Sequence, residues 1–222
     1  MRSGAKIYNS ISKFVRTSLH IDNPNNDKWV IKDIFKGKRN GYFIEAGAGN
    51  GKNWSHTFLL EKKFNWTGIC VEPNENLFFR LKKNRKCVCS DLVLSEKNET
   101  VDFMEVGGNL WGFGGIARYL NETKKQLWKS GTLKRKSAIT LRELLEKYNA
   151  PKVIDYLALD TEGSEFVILK DFPFDKYVFL AITIEGGECV DLLTRNGYII
   201  TKNPYNRLAP WEHYFIHRSI AG

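Results

Sequence analysis

A cluster of glycines stands where a short apolar run ends: Glu45-Ala46-Gly47-Ala48-Gly49-Asn50-Gly51-Lys52. Glycines in that place let the backbone turn tightly or approach a ligand with no side chain between. Two familiar loops come close and fail. A dinucleotide loop needs glycine where Lys52 stands, and a Walker loop needs glycine at Ala46 and a hydroxyl at Asn53. The surrounding acids discriminate further. Glu45 closes its run, where a carboxylate repels pyrophosphate and attracts a cation. Two unit charges about 4 Å apart interact by roughly 4 kcal/mol at an effective dielectric of 20. Glu72 closes the next run, a place from which an acid accepts hydrogen bonds from both hydroxyls of a ribose. Ser90-Asp91 closes a third, within reach of an adenine amino group. A nucleoside with a positively charged tail satisfies all three.

S-adenosylmethionine is a molecule of that kind. Methyl transfer from its sulfonium is an in-line displacement, and holding the acceptor in line supplies roughly 7–11 kcal/mol of the barrier. A hydroxyl acceptor must also lose its proton. Asp160 closes the apolar run Val153 to Leu159, Glu162 follows it, and Glu185 closes the run Phe179 to Ile184. These are the candidate catalytic acids. In one reading Asp160 or Glu185 is the general base. In another Asp160 and Glu185 hold a divalent cation such as Mg²⁺, which lowers the acceptor's pKa. Glu162 and Glu165 also suit the positive end of a helix opening near Ser164. His56 reads as a neutral base near the loop or as a packing residue. His213 and His217 share a face of a strand, with no third zinc ligand nearby.

Alternating elements must position these groups. Tyr42 to Ala46, Thr67 to Glu72 and Cys87 to Cys89 read as strands, each followed or preceded by a helical pattern: Trp54 to Lys63, then Asn74 through Leu81. Thr100 to Val106 alternates like a half-exposed strand, and Thr140-Leu141-Arg142-Glu143 opens a helix with a capping-box arrangement. Val153 to Leu159 and Phe179 to Ile184 are apolar enough to be buried on both faces. A helix from Glu188 to Asn196, closed by Gly197, and strands at Tyr198 to Thr201 and within Glu212 to His217 complete the chain. This alternation predicts an α/β doubly wound sheet, mostly parallel, of about seven strands with helices on both faces. Ligands of such sheets bind at the strands' carboxyl ends.

Two segments stand apart. Residues 1–40 read as helical: Ile7, Ile11, Phe14 and Val15 form one apolar stripe, and a second helix spans Lys28 to Phe35. The first helix suits packing, a lid, or contact with a membrane surface. Residues 107–138 read as a variable loop or insert in a domain spanning 41–222. Trp111 and Phe113 there are placed to stack on a sugar or base, between glycines that permit closure.

The 222 residues carry 34 basic and 25 acidic side chains, a net +9, which suits an anionic partner such as nucleic acid, a sugar nucleotide or a membrane surface. The excess is concentrated in Arg80 to Lys86 and Lys124 to Lys136, read as solvated faces or, for the second, a phosphate patch. Cys70, Cys87, Cys89 and Cys189 have no zinc spacing and read as reduced thiols of a cytoplasmic protein. No secretory apolar core opens the sequence and no apolar stretch is long enough to span a bilayer.

The chain resembles the FkbM-type methyltransferases. The resemblance rests on Asp27-Lys28-Trp29-Val30, Gly41 to Gly51, Leu59-Leu60-Glu61, Trp66 to Asn74, Asp155 to Glu165 and Ile182-Thr183-Ile184-Glu185. It implies a Rossmann-like class I fold and S-adenosylmethionine-dependent O-methylation of a hydroxyl, on a sugar or glycan acceptor. It implies cofactor contacts by Glu45, Gly47, Gly49, Asn50, Gly51, Glu72, Pro73, Asn74, Ser90, Asp91 and Asp160. Two departures stand out: Asn50 where family members often carry aspartate, and Gly186-Gly187 where they often carry histidine or asparagine after the strand. An RNA 2′-O-methyltransferase is the alternative that the charge favours. A catalytically silent interaction module on the same fold is the alternative from another class.

Overall fold

Apolar runs too short for helices become the strands of one sheet. The computed structural model describes residues 25–119, 128–206 and 211–221. The sheet contains β1 (Tyr42–Ala46), β2 (Thr67–Val71), β3 (Val88–Ser90), β8 (Val153–Leu159), β9 (Val178–Glu185), β10 (Tyr198–Thr201) and β11 (Glu212–His217). Their spatial order is β10-β11-β9-β8-β1-β2-β3. Only β11 runs against its two neighbours; the pairs β9–β8, β8–β1, β1–β2 and β2–β3 are parallel. The expected doubly wound sheet is therefore present.

Both faces are covered. On one, α4 (Leu141–Lys147), α5 (Glu165–Leu169) and α6 (Val190–Arg195) pack Leu144, Leu145, Leu169 and Leu193 over Ile44, Leu157 and Ile182. On the other, α1 (Asn26–Trp29), α2 (Phe58–Phe64) and α3 (Glu75–Asn84) pack Trp29, Leu60 and Leu81 over Phe43, Tyr156 and Ala181. After β3 the chain crosses back to place β8 beside β1, so the winding direction reverses between these strands. Their carboxyl ends form the crevice where such sheets bind ligands.

Several element boundaries differ from expectation. The helix expected over Lys28 to Phe35 starts at Asn26 and becomes a π-helical turn over Val30–Ile34. The helix expected from Trp54 starts at Phe58. Ser55, His56 and Thr57 donate to the Glu45 carboxylate instead, which holds that stretch out of the helix. The largest correction concerns residues 107–138. Two parts of this stretch are strands of a second, four-stranded sheet ordered β4-β7-β5-β6: β4 (Val93–Leu94), β5 (Glu99–Glu105), β6 (Gly115–Ile116) and β7 (Thr132–Ile139). Strand β7 is masked in sequence by Lys134-Arg135-Lys136, which breaks the apolar alternation, and it is made by seven registered pairs with β5. The amphipathic stripe at Ile7 to Val15 lies outside the described residues. Among the described residues no helix is long and apolar enough to cross a membrane, and all four cysteines are free thiols.

Candidate active site

The glycine loop leaves β1 and turns against the end of β8. The N–H groups of Gly47 and Ala48 both donate to the Val71 carbonyl at 3.0 Å, and Asp160 N–H donates to the Ala46 carbonyl at 3.1 Å. Gly47 has φ +80°, and a Cβ there would collide with the Asp160 carbonyl oxygen. Only glycine lets the two strand ends meet this closely.

Glu72 closes β2 beside the loop. Its two carboxylate oxygens accept the N–H groups of Gly49 and Asn74, each at 2.8 Å. Burial pushes its carboxyl up to about 7, against those two N–H groups and with help from the charges of Glu105 and Glu45. Each oxygen keeps a further lone pair for hydroxyl donors. Asn74 caps α3, its side chain accepting from Asn76 and Leu77 N–H, with Pro73 between it and Glu72. Asn50 accepts from Lys52 and Asn53 N–H at 3.0 and 2.8 Å, closing the loop's turn with the oxygen expected to face a ligand. The Ser90 carbonyl accepts Glu72 N–H at 2.9 Å, and Asp91 is exposed just beyond β3. The structure thus brings the expected loop and strand-end residues to one edge of the sheet.

Glu45 takes a different part from the one its sign suggested. It is fully buried, and its carboxylate accepts from Ser55 Oγ (3.0 Å), His56 N–H (2.6 Å), Thr57 Oγ1 (2.5 Å) and Arg85 (3.2 Å). Its charge is met by Arg85 rather than left for a cationic ligand. Arg85 also donates to Glu61 (2.9 Å), Ser55 (3.1 Å), Thr57 (2.8 Å) and the Gly51 carbonyl (3.4 Å). One buried guanidinium therefore ties the glycine loop to α2 and α3. The sequence counted Arg85 in a solvated basic run, and nothing in its neighbours Lys82, Lys83 and Lys86 distinguishes it.

Three carboxylates converge at the ends of β8 and β9. Asp160, Glu162 and Glu185 each offer an oxygen, all within 4.8 Å of one another. Glu162 is buried and sits at φ +62°, a left-handed conformation that a non-glycine residue adopts at a cost and that recurs at functional sites. Glu165 shapes this turn, accepting from Thr161 N–H (2.7 Å) and Gly163 N–H (3.0 Å). Its part is structural, in keeping with the simpler reading of that residue.

Other sequence expectations resolve differently. Asn26 donates to the Glu212 carboxylate and to His56 Nδ1, both at 2.7 Å. His56 is buried and its Nδ1 is engaged within the fold, as suits a packing residue. Phe113 is 1% exposed and belongs to the interior, so it does not stack on a ligand; the Trp111 side chain lies outside the described residues. Lys134 and Lys136 pair with Glu75 and Glu105 at 2.6–3.2 Å, pinning the second sheet to α3 instead of forming a phosphate patch. Lys129 and Arg135 of that run are exposed, and 124–127 lie outside the described residues.

Residues 45–200 match the family model of the methyltransferase FkbM domain. The chain belongs to the FkbM methyltransferase family. Similar solved structures include a methyltransferase from Pyrococcus furiosus, 14% identical with TM-score 0.40, covering 89% of this chain and 83% of that one. They include a methyltransferase FkbM from Methylobacillus flagellatus, 10% identical with TM-score 0.47, covering 82% of this chain and 44% of that one. A TehB-like SAM-dependent methyltransferase from Corynebacterium glutamicum is 10% identical with TM-score 0.45, covering 96% and 99%. No curated protein matches the chain. As an FkbM methyltransferase the chain has S-adenosylmethionine as its implied cofactor. The crevice fits it at Glu72, a buried carboxylate with spare lone pairs beside the glycine loop.

Proposed function

We propose that this FkbM methyltransferase is an O-methyltransferase acting on a hydroxyl of a sugar or glycan. The observation that carries the reading is the convergence of Asp160, Glu162 and Glu185 beside the glycine loop. The bound cofactor supplies an electrophilic methyl group on a sulfonium. The chain supplies the rest. Backbone of Gly47 to Gly51, with Glu72, Pro73, Asn74, Ser90 and Asp91, holds the nucleoside and its amino-acid tail. Asp160, fixed through its own N–H to β1, orients the acceptor hydroxyl. Asp160 or Glu185 takes the proton as the new C–O bond forms, with Glu162 completing the acid group. The sugar part rests on the family resemblance.

The same group favours a second reading, in which Asp160 and Glu185 hold Mg²⁺ with Glu162 as a third ligand. Hard carboxylate oxygens are the donors that ion takes. Calorimetric titration with S-adenosylhomocysteine, on wild type and Glu72→Ala, tests the cofactor site. Binding that is lost in the variant supports it, and no binding in either overturns it. Methyl-transfer assays on saccharide acceptors and on capped RNA then separate the acceptors. Turnover of RNA alone overturns the glycan reading, and activity abolished by a chelator and restored by Mg²⁺ selects the metal reading.

A further inference from the structure

Helix α3 leaves the carboxyl end of β2 at the glycine loop and returns to the start of β3. Its C-terminal end packs against the glycine loop, where Asn84 Nδ2 donates to the Asn50 carbonyl at 2.8 Å. Leu77 and Leu81 face inward there. Outward stand Arg80, Lys82, Lys83 and, just beyond the helix, Lys86, all exposed. Among the described residues none of the four side chains has a carboxylate partner; Glu61, which accepts the Lys86 backbone N–H, pairs with Arg85 and Lys62. Amid these cations two apolar side chains protrude. Phe79 is 58% exposed and Val88, on the edge strand, is 38% exposed. Lys83 Nζ lies 4.0 Å above the Phe79 ring and Lys82 Nζ 4.8 Å above Phe78.

Lysines in a last helical turn answer the helix dipole, and that accounts for some of this charge. It does not account for a phenylalanine presented to water in their midst. Cations around protruding apolar groups match the chemistry of a bilayer interface, where anionic headgroups meet the basic groups and acyl chains receive the apolar ones. A nucleic-acid strand fits less well. The outer face of one helix is convex, and the Phe79 ring already carries an ammonium.

We propose that the outer face of α3 docks the enzyme on an anionic lipid bilayer, with Phe79 entering the interface. The proposal is independent of which hydroxyl is methylated. The test is co-sedimentation of the full chain with vesicles of phosphatidylcholine alone or with about 30% phosphatidylglycerol, at rising salt. Wild type is expected to bind only the anionic vesicles, and less as salt rises. Lys82→Glu/Lys83→Glu is expected to bind them at least tenfold more weakly. Phe79→Ala is expected to lose several-fold at unchanged charge. All three side chains are on the surface, so circular dichroism and cofactor binding should match wild type. Equal binding to neutral vesicles, no binding, or wild-type binding by the charge-reversed variant overturns the proposal. Retention of single-stranded RNA but not of vesicles overturns it too, and assigns the face to nucleic acid.

Discussion

In the proposed reaction Asp160 is the residue on which the chemistry turns. Its backbone is locked to β1 and its carbonyl abuts Gly47, so its side chain is presented at a fixed place beside the cofactor loop. Asp160→Asn keeps the shape and removes the basicity. Turnover with a true acceptor is expected to fall by about 10²–10⁴-fold, the usual contribution of a positioned base. The dissociation constant for S-adenosylhomocysteine should stay within a few-fold. A variant with wild-type kcat rules Asp160 out as the base. Sequence marked this residue because it ends a buried run. It also marked Glu45, where the same logic led to a different outcome: a strand-end acid that looked ready for a ligand cation has an internal partner instead. Sign was readable along the chain, and the partner forty residues away was not.

At the scale of elements, Arg85 ties the loop, α2 and α3 together. It reaches Gly51, Ser55, Thr57, Glu61 and Glu45 from beneath the loop. Removing one member of a buried pair leaves an uncompensated charge, which costs about 3–5 kcal/mol. Arg85→Met is therefore expected to lose stability on that scale in urea denaturation. Glu45→Leu/Glu61→Gln/Arg85→Met should recover at least half, because neither carboxylate partner of Arg85 is left charged. A single variant within about 1 kcal/mol of wild type contradicts the network's importance. The second sheet teaches a related lesson. Strand β7 has little apolar patterning of its own and forms because β5 offers a partner and Glu75 and Glu105 neutralise Lys134 and Lys136. Pairing between distant segments leaves no local trace.

For the whole molecule, the acids set how stability depends on pH. Glu72 is raised from 4.5 to about 7, chiefly by burial, so its ionised form opposes folding. Below about 4.5 it is protonated folded and unfolded, and contributes nothing. Between there and about 7 the unfolded chain ionises first, and stability declines, by about 3 kcal/mol in all. Glu61 behaves oppositely: burial pushes its carboxyl up, but Arg85 and the Lys86 N–H overcome this and hold it at about 2. Its contribution is complete above about 4.5 and is lost only in acid. From pH 5 to 8, then, wild type should lose melting temperature relative to Glu72→Gln, which has no proton to exchange there. Parallel curves for the two proteins contradict a raised Glu72. The sequence by itself determined the alternation that builds the doubly wound sheet, the glycine loop and the strand-end acids, because periodicity, glycine freedom and chain order are local properties. Only the tertiary structure decided that Arg85 is interior, that His56 Nδ1 is engaged by Asn26, and that Asp160, Glu162 and Glu185 meet. Each depends on which distant side chain arrives at the same place, and that is settled by packing.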